Sequence, residues 1–286
     1  MTIKTWALLG LLALLACAKS ASAAQSYDNC TGFITSVPAT ISTQGTWCLK
    51  QDLATAITSG NAITINTNNV TIDCNDFKLG GLAAGAATLT IGIRADDHVN
   101  LTVRHCNIRG FYSGLQFQGL DTGGHAIEEN RFDGNTSSGM YVDGEGSIVQ
   151  RNRVFDTGGT TQSNDAYGIR TNSSVDVLNN LVSGVTARIG GGGHAFGINT
   201  TSNTSGRIIG NGVRGLLRDT GGFAYGIWNI SSGRLSLRGN DLVGSGTNSV
   251  GLVCNSANDS AQDNLISGFA TAIITCANDA DNIIKP

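Results

Sequence analysis

Apolar and polar positions alternate in short runs along this chain, and the runs recur. Val70-Thr71-Ile72-Asp73 returns as Leu101-Thr102-Val103-Arg104. Alternation with a period of two is the pattern of a strand with one buried face. The strongest echo is Ala166-Tyr167-Gly168-Ile169-Arg170. It recurs as Ala195-Phe196-Gly197-Ile198-Asn199 and Ala224-Tyr225-Gly226-Ile227-Trp228, each 29 residues after the last. Looser copies are Gly92-Ile93-Arg94, Gly114-Leu115-Gln116, Gly139-Met140-Tyr141 and Gly251-Leu252-Val253. A unit repeating at this interval marks a solenoid, each repeat being one turn of a coil. The shared phase predicts that Ile93, Leu115, Met140, Ile169, Ile198, Ile227 and Leu252 form one buried stack. Asp73 and Arg104 become outward neighbours that can pair.

A second ladder reads Asn-x-apolar. It contains Asn130, Asn152, Asn180, Asn211, Asn240 and Asn264, with Cys106 in the same slot of an earlier repeat. Asn tolerates left-handed backbone and suits a tight bend. Stacked turns can then bond amide to amide from coil to coil. These asparagines are read as structural.

Composition agrees. Gly, Asn, Ser and Thr are abundant, charged residues make up 14%, and no helical period stands out after the leader. The first 23 residues read as a secretory signal: Lys4, an apolar run from Trp6 to Ala16, and Ala21-Ser22-Ala23 for cleavage. That apolar run is too short to span a membrane. Leu14-Leu15-Ala16-Cys17 offers the rival reading of a lipoprotein box, for which Leu15 is a weak fit. Losing Lys4 and Lys19 with the leader takes 18 basic residues to 16, against 21 acidic. An acidic chain is a poor partner for nucleic acid or anionic membranes.

Beyond the leader stand six cysteines: Cys30, Cys48, Cys74, Cys106, Cys254 and Cys276. An even number in an exported chain suggests disulfides. Cys254 and Cys276 fall on neighbouring repeats, and Cys30 and Cys48 share the N-terminal segment. Cys74 and Cys106 remain, either as a third pair or as buried thiols in a core stack. With no CxxC pair and no Cys/His cluster, zinc is not expected.

Residues 24–68 read as a cap over the first coil, with short strands and a turn of helix within 52–58. From Asn69 the repeats resemble the right-handed parallel β-helix proteins, the pectate-lyase-like repeat family of bacterial secreted proteins. The fold expected is all-β: a single-stranded right-handed parallel β-helix over 69–286, about eight coils with an N-terminal cap.

If the apolar member of each Gly-apolar pair points inward, the next residue points outward. This gives an outer column of Arg94, Gln116, Tyr141, Arg170, Asn199, Trp228 and Val253. A second column holds Asp96, Gln118, Asp143, Asn172, Thr201, Ile230 and Asn255. Tyr141 and Trp228 offer flat faces suited to sugar rings, and Arg94 and Arg170 can fork onto carboxylates. Arg94, Gln116, Tyr141, Asp143, Asn199 and Trp228 are thus the candidate substrate-binding residues. An ordinary wet sheet face has a similar look.

Three glycine-bearing insertions, 157–165, 187–194 and 216–223, should wall one edge of this strip, with Tyr167, Phe196 and Tyr225 stacked at its foot. The family's polysaccharide lyases bind their polymer along such a face. For a lyase, Arg170 and His194 could supply cation and base, and Asp96, Asp97 and Asp143 could hold Ca2+. The aspartate and histidine motifs of pectate lyases, polygalacturonases and alginate epimerases are absent. The function read from sequence is a secreted polysaccharide-binding protein, with a lyase acting on a uronate-containing glycan as its catalytic form. The alternative is a noncatalytic surface or adhesion rod.

Overall fold

In the computed structural model, which describes residue 27 and residues 29–202, 205–230, 233–276 and 281–286, the chain winds into a parallel β-solenoid. Each coil carries three strands, and strands of like position pair in parallel with those of the coils before and after. Sheet I has ten: Gly32–Ile34, Gly45–Leu49, Val70–Asp73, Leu101–Arg104, Ala126–Glu128, Ser147–Gln150, Val175–Leu178, Gly206–Ile209, Leu235–Arg238 and Ser260–Gln262. Sheet II begins at Leu53–Ala54 and continues through Lys78–Gly80, Asn107–Arg109, Arg131–Asp133, Arg153–Gly158, Leu181–Thr186 and Gly212–Leu217. Sheet III comprises Ala39–Ile41, Asn61–Ile65, Ile91–Asp96, Ser113–Gln118, Ser138–Val142, Ala166–Asn172, Ala195–Thr201 and Ala224–Asn229. Towards the C-terminus sheets II and III run together in the long strands Asp241–Val253 and Leu265–Ile274.

The all-β parallel β-helix read from the repeats is the fold. Its ten rungs in sheet I make the stack slightly longer than eight coils. The added rungs come from residues 24–68, whose strands continue the sheets in register: Trp47 lies opposite Ile72, and Ile63 opposite Ile93. The turn of helix expected within 52–58 is instead the short strand Leu53–Ala54, paired with Leu79 and Gly80. Among the described residues the one helical turn is a 3-10 turn at Leu82–Ala84, and no helix is long and apolar enough to cross a membrane. The leader expected at 1–23, with Cys17, lies outside the described residues.

The shared phase of the Gly-apolar repeats holds. Ile93, Leu115, Met140, Ile169, Ile198, Ile227 and Leu252 are all 0% exposed and partner one another across sheet III. The glycine before each apolar residue sits where the strand corners inward. A Cβ on Gly168 would lie 2.4 Å from Val182 Cγ1 and 2.6 Å from the Gly197 carbonyl oxygen. Only a residue without a side chain lets adjacent coils approach that closely.

The asparagine ladder also forms, in a different conformation from the one expected. Left-handed backbone falls on the residue before each ladder Asn: Glu129 at φ 57°, Arg151 at 53°, Asn179 at 55° and Asp263 at 56°. The ladder side chains themselves turn inward and are buried. Asn130 Nδ2 donates to Asn152 Oδ1 at 3.0 Å, and the chain of amides continues through Asn180, Asn211, Asn240 and Asn264 to Asn282. Burial without such partners would be costly for an amide. The bend therefore falls to the preceding residue, so that the Asn can face the core.

Three disulfides join Cys30 to Cys48, Cys74 to Cys106 and Cys254 to Cys276. Cys74 and Cys106 are bonded rather than stacked as thiols. Cys106, at the head of the asparagine slot, donates its backbone N–H to Asn130 Oδ1 at 3.0 Å. Asp73 and Arg104 pair as the register predicts, at 2.8 Å.

Candidate functional site

The outer face of sheet III carries the predicted column. Arg94, Gln116, Tyr141, Arg170, Asn199, Trp228 and Val253 are consecutive register partners. Because the strand corners at the glycine, the residue before it also points outward. A further column results, Ser113, Ser138, Tyr167, Phe196, Tyr225 and Val250. Its small members leave room and its large members fill it, so the face divides in two.

Over the small members opens a pocket of about 370 Å³. Ser113 and Ser138 form its floor, with Ser138 Oγ donating to Ser113 Oγ at 2.8 Å. Gln116, Gln118, Tyr141, Tyr167 and Arg170 complete its lining on the sheet, and Tyr112, Ser137 and Ser163 on the turns. The Arg170 guanidinium lies 5.3 Å from the Tyr141 ring centre and 5.1 Å from that of Tyr167. Its Nε is buried and has no hydrogen-bond partner. Two aromatic rings thus hold a planar cation in place while one of its donors is unmatched.

Two phenols of the pocket, Tyr141 and Tyr167, are held protonated. Burial pushes Tyr141 up, and the Asp143 charge adds to it while Arg170 opposes. Burial pushes Tyr167 up to about 12, with the nearby Asp165 carboxylate adding to it; the Tyr167 hydroxyl donates to Asp165 Oδ2 at 3.3 Å. At neutral pH these two groups are therefore hydrogen-bond donors with apolar faces, and neither is a base.

The expected wall along the edge of sheet III exists. Arg188 N donates to Asn164 O at 2.9 Å, His194 N to Asp165 Oδ1 at 2.8 Å, and Gly192 N to Asp219 Oδ2 at 2.8 Å. These bonds stitch the three insertions to one another. The wall also has a member not anticipated, the loop 81–90. Thr161 N donates to Ala86 O and Gln162 Nε2 to Ala87 O, both at 3.4 Å. The two coils lying between these loops turn tightly at 110–112 and 134–137, so the pocket sits beside a short gap bridged from both ends. The signal in the sequence was the stretch from Gly80 to Thr90, longer than the corresponding turns of the next two repeats.

The other predicted site residues are distributed as follows. Arg94 forks onto Asp96 at 2.7 and 2.8 Å, so this guanidinium already holds a carboxylate. Asn199 is 4% exposed, its Nδ2 donating to the Trp228 carbonyl at 3.3 Å. Trp228 stacks on Phe196 and Tyr225, with ring centres 4.9 and 4.4 Å apart. Tyr167, Phe196 and Tyr225 stack in turn at 4.8 and 5.2 Å, nearly parallel. His194 packs among these rings rather than beside Arg170. The Phe223 N–H donates to its Nδ1 at 3.0 Å, which leaves the proton of the neutral ring on Nε2.

Asp143 accepts from Asn172 Nδ2 at 2.8 Å and Ser173 Oγ at 2.7 Å. Asp97 Oδ1 caps the turn at Leu120 N, 2.8 Å away. Asp96, Asp97 and Asp143 are thus spread over separate tasks. Among the described residues no group of three or more His, Cys, Asp or Glu could hold a metal ion. Nearby, His125 is 1% exposed, and burial pulls its pKa down to about 4, with the Asp143 charge opposing. Its Nδ1 accepts from Leu101 N at 3.3 Å and its Nε2 lies 2.8 Å from Thr122 Oγ1. It is a neutral core histidine.

The chain matches no protein-family model and no curated protein sequence. Among solved structures it is similar to the Dettilon tailspike protein, with 12% identity and a TM-score of 0.35, covering 88% of this chain and 60% of that one. It is also similar to the A-module of the Azotobacter vinelandii mannuronan C-5 epimerase AlgE6, with 11% identity and a TM-score of 0.35, covering 90% of each chain. The chain thus spans less than two thirds of the tailspike.

Proposed function

We propose that this protein is exported and binds an acidic polysaccharide across the pocket of sheet III, a uronate carboxylate meeting Arg170. The observation that carries this reading is the Arg170 guanidinium, which lines the pocket between Tyr141 and Tyr167 and, among the described residues, makes no hydrogen bond or ion pair. A carboxylate supplies the planar acceptor that a guanidinium edge fits. The flanking ring faces suit sugar C–H surfaces, and Gln116, Gln118 and the serine hydroxyls suit sugar hydroxyls. Three disulfides accord with an oxidising compartment.

Binding without cleavage is favoured over a lyase. Proton abstraction needs a base. Tyr141 and Tyr167 are held protonated, and His194 uses Nδ1 on a backbone N–H. The test is retention of the purified protein on immobilised alginate, pectate and hyaluronan, against neutral dextran, with and without Ca2+. Retention on uronate polymers, weakened in Arg170→Gln, supports the reading. New absorbance from unsaturated uronate ends would make the protein a lyase. Dependence of either on Ca2+ would establish a metal role. If no glycan is retained, the chain is a noncatalytic rod.

A further inference from the structure

We propose that the outer face of sheet II carries a second carbohydrate site, centred on Arg109, which takes a uronic acid. A groove of about 290 Å³ lies there, lined by Asp52, Asp76, Lys78, Asn107, Arg109, Arg131 and Asp133. None of these residues lines the sheet III pocket, so the two sites stand or fall separately.

The groove holds three cations and three carboxylates, and two of the cations are matched. Lys78 Nζ lies 2.8 Å from Asp52 Oδ2, and Arg131 Nη2 lies 3.0 Å from Asp133 Oδ2. Arg109 is the exception. The register sets it between Gly80, which has no side chain to offer, and Asp133, which Arg131 engages. Its Nε is buried without a hydrogen-bond partner. This Nε is closed off from a ligand, but among the described residues the guanidinium makes no hydrogen bond or ion pair, and a carboxylate in the groove can take its two terminal Nη groups at once.

The surroundings narrow the ligand further. A bare sulfate or phosphate would meet one unmatched guanidinium among three carboxylates. A hexuronate brings a single negative charge and several hydroxyls, and hydroxyls can donate to carboxylates such as Asp76. The mixed lining therefore selects a hydroxylated carboxylate over a simple anion and over a neutral sugar.

The experiment follows arginine Nε–H signals by NMR in the purified protein as glucuronate, glucose or sulfate is added at constant ionic strength. The Arg109 signal is assigned by its disappearance in Arg109→Lys. The expected result is a saturable shift of that signal with glucuronate, no shift with glucose, and clearly weaker binding of sulfate. Arg109→Lys keeps the charge but loses the planar fork, and should bind glucuronate about tenfold more weakly by calorimetry. Arg170→Gln should leave the Arg109 response unchanged. The proposal is overturned if glucuronate produces no saturable shift, if sulfate binds as tightly, or if Arg109→Lys binds glucuronate as the parent does. If Arg109→Lys fails to fold, the Arg109 signal is assigned through its own backbone resonances in the wild type, and the wild-type titration then decides the matter.

Discussion

The coils from Ile91 to Asn172 and those from Ala195 to Val253 share one inner column and one register, yet their outer faces differ. In the first region Ser113 and Ser138 leave a hollow whose wall carries Arg170 with an unmatched donor. In the second, Phe196, Tyr225 and Trp228 occupy the equivalent positions and cover one another. The backbone is the same, so the outward side chains alone decide whether a rung offers a pocket or closes over itself. A ring on a solenoid face offers a ligand only the side that no neighbouring ring covers: Tyr167 stacks on Phe196 yet still lines the pocket.

Substitutions can separate what the two regions share from what divides them. The largest effect should come from the shared inner column. Ile198→Asp places an unpaired charge in a stack that is 0% exposed, and should cost more than about 4 kcal/mol, read as loss of the cooperative thermal transition. Next is acid. His125 lies at the edge of the pocket half, and its folded pKa of about 4 is below its unfolded value. The unfolded chain therefore takes up the proton first. Stability from this group is full above about pH 6.5 and falls as the pH drops towards about 4, by about 3 kcal/mol in all. Chemical denaturation at pH 7 and pH 4.5 should show a smaller drop in His125→Gln than in the parent.

Smaller effects bear on the contrast itself. Trp228→Ala should lower stability by about 2 kcal/mol, because it removes a ring stacked on two others, while glycan retention stays near that of the parent. Arg170→Gln should do the reverse, weakening uronate binding about tenfold with little change in melting temperature. Tyr141→Ala should weaken binding several-fold, about 1 kcal/mol, by removing one of the two faces that hold Arg170. If Trp228→Ala abolishes retention while Arg170→Gln keeps it, the roles of the two halves are exchanged.

Much of this was legible in the chain because period and phase are local. The Gly-apolar repeat placed seven buried residues and the whole Arg94-to-Val253 column correctly. The same reasoning ran forward from the glycine to the columns two and four residues on, and it expected the Tyr167, Phe196 and Tyr225 stack, but not that Tyr167 also faces Arg170. Alternation passes straight through Gly168, whereas the strand corners there and brings Tyr167 outward beside Arg170. The arrangement of Trp228 over Phe196 and Tyr225 joins two columns, with Tyr225 on the same strand and Phe196 on the coil before, and periodicity does not address how side chains of different columns pack. Likewise Arg94 was rightly placed outward, but its capture by Asp96 depends on rotamers. The loop 81–90 shows in the sequence only as extra length, and its contact with 159–165 spans two intervening coils.

The buried amide ladder has a direction. Each ladder oxygen receives both the backbone N–H and the Nδ2–H of the asparagine one coil earlier: Asn152 Oδ1 accepts from Asn130, and Asn180 Oδ1 from Asn152. A coil therefore cannot satisfy its own donors; the coil that follows it in sequence must do so. While the chain is being completed from the N-terminal end, its advancing edge always presents N–H groups and waits for a carboxamide oxygen. Two such unfinished edges meeting head to head would set donors against donors, so nascent molecules are discouraged from joining through their ladders. The thread that locks the finished stack thus also gives its assembly a polarity, with each new turn closing the one before it.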